Sequence, residues 1–479
     1  MNARDQAAHV LRRFGLGASP EELDRYERMP PVKILESLFD FERTAEGFPI
    51  NPYELVAQPN GELQFDTGRI TRWWALRLLL TNTPAREKLT LFWHDHFAVS
   101  GEKVEFGPMM LGYLNVLRRH GAGSFRELLG AVSTCPAMLR WLDGDTSIKG
   151  RPNENFAREL LELFTLGIGH YTEKDVQEVS RAFTGWSLRN LYRGGDLKAR
   201  RAQLSDALRD DRPLIASAYS PDLNDDGVKT ILGKTGRFDG NQVLDMLAAR
   251  PETARVICSK LWSFYAYPDP EPAVLQRLTK VYFDSKYQIR PILMAIVQSK
   301  EFWSSKCVRA LVKCPVDFTV AFMRQSGVRE RLLVRRAADA GPMTPLPNEI
   351  RGVADVLTAV MNKQGMLLLY PPDVDGWHWG TSWVSPAMMI ERIRFAEVVT
   401  RNGILADVLK PAASSGPEAV VEAFSKRFDL PLKPEQRLVL LEGLQRAGGA
   451  TAFDRPQTAA NAVRTLVRLT FAMPEYQFC

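Results

Sequence analysis

The sequence predicts an all-α protein: a multi-helix globular bundle with one small β-hairpin excursion around 187–240. Apolar residues recur at three- and four-residue spacing through most of the 479 residues, whereas strand-like runs are confined to PLIASAY and KTILG between Ser187 and Gly240. Composition agrees, since 45% hydrophobic and 25% charged residues are ordinary for a chain that buries a large core. No segment approaches the roughly 18 uninterrupted apolar residues that a membrane span needs, so no membrane partner is expected.

The first elements are short helices over 5–13, 20–28, 31–40, 68–81 and 84–94, broken by Gly, Pro or Asn. In TNTPAREKL, Thr83 suits the cap, Pro84 the first helical position and Glu87 the capping-box position. Asn153 to Trp186, NENFARELLELFTLGIGHYTEKDVQEVSRAFTGW, predicts two helices. Asn153 caps the first, Thr172 caps the second with Asp175 at the third position, and His170 lies in the exposed loop between them. Ser187 to Gly240 is rich in Gly, Asp, Arg and Pro and reads as a long irregular excursion, with RNLYRGGDLKARR as a solvated basic loop.

Four parts follow: an N-terminal helical body, 1–186; the excursion, 187–240; a second helical part with a Trp-rich loop, 241–400; and a C-terminal helical bundle, 401–479. Composition breaks at Ala338 to Glu349 and at Pro411 to Pro417. An apolar helix with a similar tail recurs at 128–142, 292–303 and 466–478, which reads as architecture.

The 62 basic and 56 acidic residues are well mixed, and a net charge of +6 is thin for this length, so nucleic-acid binding is not expected. Five cysteines without CxxC spacing read as buried free thiols. With no apolar run of signal-peptide length, the chain as written is expected to be soluble and cytoplasmic.

The chemistry concentrates in two segments. In the first half of the Asn153–Trp186 stretch, Glu154, Arg158, Glu159 and Glu162 alternate with large apolar residues, so some of these charges must face protein. A desolvated carboxylate costs several kcal/mol unless paired, hydrogen-bonded or bound to a cation. Upstream, EKLTLFWHDHF from Glu87 to Phe97 holds two of the six histidines. His94 and His96 form a metal pair only if the helix unwinds near Trp93, because residues two apart leave a helix on different faces. With that condition, His94, His96, Glu154, Glu159 and Glu162 are candidate ligands for a divalent zinc, iron or manganese ion.

Glu159 and Glu162, three apart on one helical face, are the candidate catalytic carboxylates, with Asp95 and Arg158 beside them. The structural alternatives are an Arg158 bridge between Glu154 and Glu162, and two histidines bonded to buried carboxylates. Asn153, Asn155 and Trp186, with Asp375, Trp377 and His378 from YPPDVDGWHWGTSWVS, are candidate substrate contacts. Aromatic-rich loops with carboxylates suit sugars and flat ligands, and they also plug cores. No GxGxxG, Walker, GxSxG or HExxH pattern occurs.

Several of these motifs resemble a large bacterial family known only as domain of unknown function eighteen hundred. The resemblance lies in HVLRRFGLG (His9 to Gly17), in Arg86 to Phe97, in Asn153 to Leu163, in Tyr171-Thr172, in Thr184 to Trp186 and in Gly376-Trp377. One departure is Asn224-Asp225, where many members have His-Asp before a Gly-x-Lys-x-x-x-Gly run. The resemblance implies a helical protein without an assigned activity, often exported and encoded beside sulfatase-like proteins, which makes such a protein a possible partner.

The expected function is a metal-dependent hydrolase acting on a small-molecule or polysaccharide substrate, polar or sugar-like and in some forms anionic. One alternative is a metal-independent glycosidase that uses a glutamate pair, which predicts a raised glutamate pKa. The other is a non-enzymatic helical scaffold whose polar cluster is a buried specificity network.

Overall fold

Proline starts much of this architecture. Helices at Pro20–Tyr26, Pro31–Leu38, Pro84–His96, Pro251–Tyr265, Pro315–Gln325 and Pro456–Ala472 all begin on a proline, whose fixed φ and missing N–H suit the first helical position. The computed structural model describes residues 1–192, 196–210, 212–338 and 345–479, and among them the protein is mainly α-helical with two small two-stranded antiparallel sheets.

The helices predicted for the N-terminal third are observed at Ala3–Phe14, Pro20–Tyr26, Pro31–Leu38, Thr67–Leu80 and Pro84–His96. Thr67–Leu80 is buried on nearly all sides, between Gly107–His120 and Asn348–Lys363. The capping box at Thr83 does not form. The Thr83 hydroxyl pairs with that of Thr81, and Glu87 turns inward to accept from Trp74 Nε1 at 2.9 Å and Arg118 Nε at 2.7 Å. The buried Thr83 N–H is already taken by the Thr81 hydroxyl at 3.0 Å, and two donors of this kind satisfy the fully buried Glu87 carboxylate.

In the excursion, Trp186–Asn190 pairs antiparallel with Ile215–Tyr219, and Lys229–Ile231 pairs with Lys234–Gly236. The basic stretch expected as a loop runs at its end into a helix, Leu197–Arg209, capped by Asp196, whose carboxylate accepts from the Ala199 N–H at 2.7 Å. Leu204, Ala207 and Leu208 are spaced to face the core, and the last two are buried, which outweighs the surrounding arginines. Residues 193–195 and 211 of the excursion, and 339–344 of the predicted 338–349 break, lie outside the described residues.

All three repeat segments have the same shape, a helix followed at once by a second short helix: Phe125–Ser133 with Pro136–Trp141, Ile289–Gln298 with Lys300–Trp303, and Pro456–Ala472 with Pro474–Gln477. Buried apolar side chains from all four sequence segments join one core, from Ala7 through Leu208 and Trp262 to Phe471. The five cysteines are buried and free. Among the described residues no helix is long and apolar enough to cross a membrane.

Candidate functional site

A cavity of about 440 Å³ opens where the Ala3–Phe14, Pro84–His96 and Pro251–Tyr265 helices meet the Trp-rich loop. Lys88, Phe92, Asp95 and His96 line it from one helix, because steps of three and four residues share a face. Ser259, Lys260, Ser263 and Phe264 come from the second helix, and Asp375, Trp377 and Trp379 from the loop.

Asp95 anchors that loop. Its Oδ1 accepts the Trp377 backbone N–H at 2.8 Å, and its Oδ2 accepts Trp379 Nε1 at 2.8 Å. Gly376, at φ +90°, makes the approach possible: a Cβ there would sit 2.4 Å from Asp95 Oδ1 and 2.6 Å from the Asp95 carbonyl oxygen. Burial pushes the Asp95 carboxyl up to about 6 against the two N–H bonds and Lys260, which favour ionisation; the nearby Asp375 adds to the upward push. The result is a carboxyl group that exchanges its proton near neutral pH.

Lys260 joins the two motifs. Its Nζ lies 3.3 Å from His96 Nδ1 and 3.5 Å from the Leu163 carbonyl, and burial lowers its pKa. The His96 and Phe164 rings are 6.1 Å apart, so the end of the Trp-His-Asp-His segment and the Glu-Leu-Phe turn touch. That turn is a π-helical stretch, Glu162–Leu166, closed by Gly167 at φ +82°. Turns of this kind recur at functional sites because the wider ring re-aims the following side chains.

The helix does not unwind at Trp93 but runs to His96, so the condition for a histidine pair is not met. His94 is packed against Trp74, Tyr113 and Trp377, with Nδ1 3.2 Å from the Tyr113 hydroxyl, which donates in turn to the Phe97 carbonyl at 3.2 Å. His96 points instead to Phe92, Phe164 and Lys260. Burial holds both imidazoles neutral, His94 down to about 3 and His96 well below its usual value. Among the described residues no group of three or more His, Cys, Asp or Glu is gathered closely enough to hold a metal ion.

The acidic helix, Asn155–Leu161, divides its charges between two faces. Glu154 and Arg158 are on the solvent side, where Arg158 forks onto Glu173 at 2.7 and 2.8 Å and reaches Glu154 at 3.5 Å. The bridge to Glu162 is absent, since Glu162 accepts the Tyr171 hydroxyl. Glu159 is half-buried, and its pKa is raised by burial, by Glu162 and by Asp375, against the pull of Arg158. Asp375 is therefore electrostatically shared between the cavity residue Asp95 and Glu159.

Asn153 is not the helix cap. Its Oδ1 accepts the Asn155 N–H at 2.9 Å in the turn before the helix, and Asn155 Nδ2 donates to Asp143 at 3.0 Å. Asn153 and Trp186 line a separate small void, and Trp186 packs on Tyr219. His378 is exposed, so of the candidate substrate contacts only Asp375 and Trp377 line the cavity. Thr172 forms the expected capping box with Asp175, and His170 is exposed.

The chain belongs to a family of proteins of unknown function, DUF1800. The family model matches residues 9–478. No curated protein and no solved structure matches the chain. The family motif around Asn224 has a structural role here: Asn224 is buried and donates to the Thr184 carbonyl at 2.8 Å, while Asp225 pairs with Arg181 at 2.7 Å. The departure from histidine at this position thus falls in a brace behind the first hairpin.

Sequence reasoning missed Arg13, Lys88, Lys260, Phe264, Asp317 and Trp379, all of which line the cavity. A signal was present for three of them, since HVLRRFG, REKLTLF and ICSKLWSF each set a cation inside an apolar helical run.

Proposed function

We propose that the cavity is the reaction site of a hydrolase for a sugar-like or other polar substrate, working by carboxylate acid–base chemistry. The observation that carries this reading is the placement of Asp95, a carboxyl held at about 6, in a cavity walled by Phe92, Phe264, Trp377 and Trp379. Flat aromatic faces suit the apolar faces of sugar rings, and a group titrating near the working pH is the efficient proton donor and acceptor. In this reading Asp95 in its protonated form gives its proton to the leaving oxygen, and Asp375 takes a proton from the attacking water. Lys260, drawn between the carboxylates and neutral His96, lowers the cost of the charge left on Asp95.

A divalent-cation form of the same reading is favoured by one observation. Glu162 and Asp375 both raise the Glu159 pKa, a repulsion that a cation held by fewer than three of these carboxylates, with water completing its shell, would relieve. His94 and His96 have no part in it.

The test is hydrolysis of a panel of aryl glycosides and oligosaccharides by wild type and Asp95→Asn, with and without chelator. Turnover that shows an inflection near pH 6 and is lost in Asp95→Asn supports the acid–base reading; loss on chelation moves the chemistry to the cation form. An Asp95→Asn protein that folds and keeps full turnover refutes the role of Asp95. No turnover on any substrate, together with an unfolded variant, favours the scaffold, in which Asp95 only fastens the Trp loop.

A further inference from the structure

The Arg13 end of the cavity gathers several cations, whereas Cys479, which also lines it, draws the pKa values of Lys88, Arg309 and Lys313 upward. Arg13, from HVLRRFG, is only 1% exposed and lines the cavity. One of its terminal nitrogens donates to the Cys307 carbonyl, and the other faces only sulfur, with Cys479 Sγ at 3.9 Å. Its Nε has no partner, and no ion pair forms between Arg13 and any carboxylate among the described residues. A guanidinium taken out of water without an anion is costly, by several kcal/mol on the usual scale for buried ions.

The surroundings deepen the imbalance. Lys88 is held by Asp317 at 2.6 Å, and Arg12 and Arg309 share Asp429, so those carboxylates are already engaged. Lys313 lies over the Tyr476 ring at 3.6 Å without an ion pair among the described residues. Burial and the neighbouring cations bring Lys313 down to about 7, although Cys479 pulls it the other way. Arg392, fully buried, bonds only neutral acceptors, Gln477 Oε1 at 2.7 Å and the Lys313 carbonyl at 2.6 Å.

We propose that this end of the cavity is an oxyanion subsite, in which Arg13 binds a tetrahedral phosphate- or sulfate-type group of the ligand beside the Lys88–Asp317 pair. A planar guanidinium with free N–H groups in a desolvated pocket is the side chain best fitted to such a group. The inference rests on the cavity being the ligand site proposed above, and it names the ligand as a polar molecule carrying an oxyanion, with the Phe264 ring 5.9 Å from Lys88 Nζ. It does not depend on the hydrolytic step.

Equilibrium dialysis of the full chain against labelled inorganic phosphate and labelled inorganic sulfate, with chloride at matched ionic strength as the control, tests the subsite. Saturable binding is expected, and the tighter of the two ions identifies the source of the group. Arg13→Gln should weaken binding roughly 10- to 100-fold, the value of one or two charged hydrogen bonds. Because Arg13 is buried and this variant can fail to fold, the wild type is also crystallised with arsenate and with selenate, whose anomalous scattering locates the ion directly. Anomalous density against Arg13 supports the subsite. Absence of saturable binding, undiminished binding by folded Arg13→Gln, or density only elsewhere overturns it. Since binding is read without turnover, loss of the hydrolase reading leaves this result standing, and loss of binding leaves the Asp95 test unaffected.

Discussion

Replacing Asp95 with asparagine tests the electrostatics of the cavity most directly. The folded-state pKa of about 6 lies above the unfolded value of 3.8, so between those two pH values the native state holds a proton that the unfolded chain has released. The associated stability is fully present below pH 3.8 and is lost as pH rises through about 6. At about 1.36 kcal/mol per tenfold change in proton affinity, the interval amounts to about 3 kcal/mol. Asparagine preserves the shape and cannot ionise. It also sets an NH2 against one of the two N–H groups now bound by Asp95, a pH-independent cost of about 1–3 kcal/mol. The stability of Asp95→Asn minus that of wild type should therefore climb by about 2.4 kcal/mol between pH 4 and pH 7, even if the variant is the less stable protein at pH 4. Urea unfolding followed by circular dichroism across that range measures the difference, and taking the difference cancels the two neutral histidines, whose contribution runs the opposite way. A flat difference, or one that falls with pH, would refute the argument that burial dominates the Asp95 environment.

Three further outcomes are expected. Gly376→Ala should cost about 3 kcal/mol or more and loosen the Trp loop, because φ +90° strains any Cβ and this one meets Asp95; thermal denaturation and tryptophan fluorescence report the two effects. Lys88→Met should destabilise by about 3–5 kcal/mol, since it strands Asp317 in the interior, whereas the double change with Asp317→Leu should recover much of that loss. Arg158→Ala, by contrast, should change the unfolding free energy read from the urea transition by well under about 1 kcal/mol despite its bidentate contact with Glu173, because that pair is solvent-exposed.

The fold class was legible because the helices are punctuated by residues with strong local rules. Pro84, and Thr172 with Asp175, act within a turn of their own positions, and the structure places helix starts there. Leu197–Arg209 was missed because its arginines dominate the composition, while the spaced apolar residues Leu204, Ala207 and Leu208 bind it to the core. The two chemical motifs were legible as a pair, but the division of labour within them was not. Glu154 and Arg158 read like Glu159 and Glu162 in the sequence; in the fold Arg158 joins Glu154 and Glu173 while Glu162 takes the Tyr171 hydroxyl, and neither Glu159 nor Glu162 lines the cavity. Arg13 and Lys88 were overlooked because a cation in an apolar helix reads as an amphipathic edge until partners hundreds of residues away enclose it.

The cavity wall is drawn from Arg13, the Pro84–His96 helix, Lys260, Asp317 and the loop at Asp375–Trp379, stretches dispersed through most of the chain. Such a pocket exists only in the fully assembled molecule, so any compound that occupies it must raise the resistance of the whole protein to heat. A ligand at one hundred times its dissociation constant adds about 2.7 kcal/mol to global stability. Melting-temperature shifts across a chemical library can therefore find ligands for this pocket before any reaction has been identified.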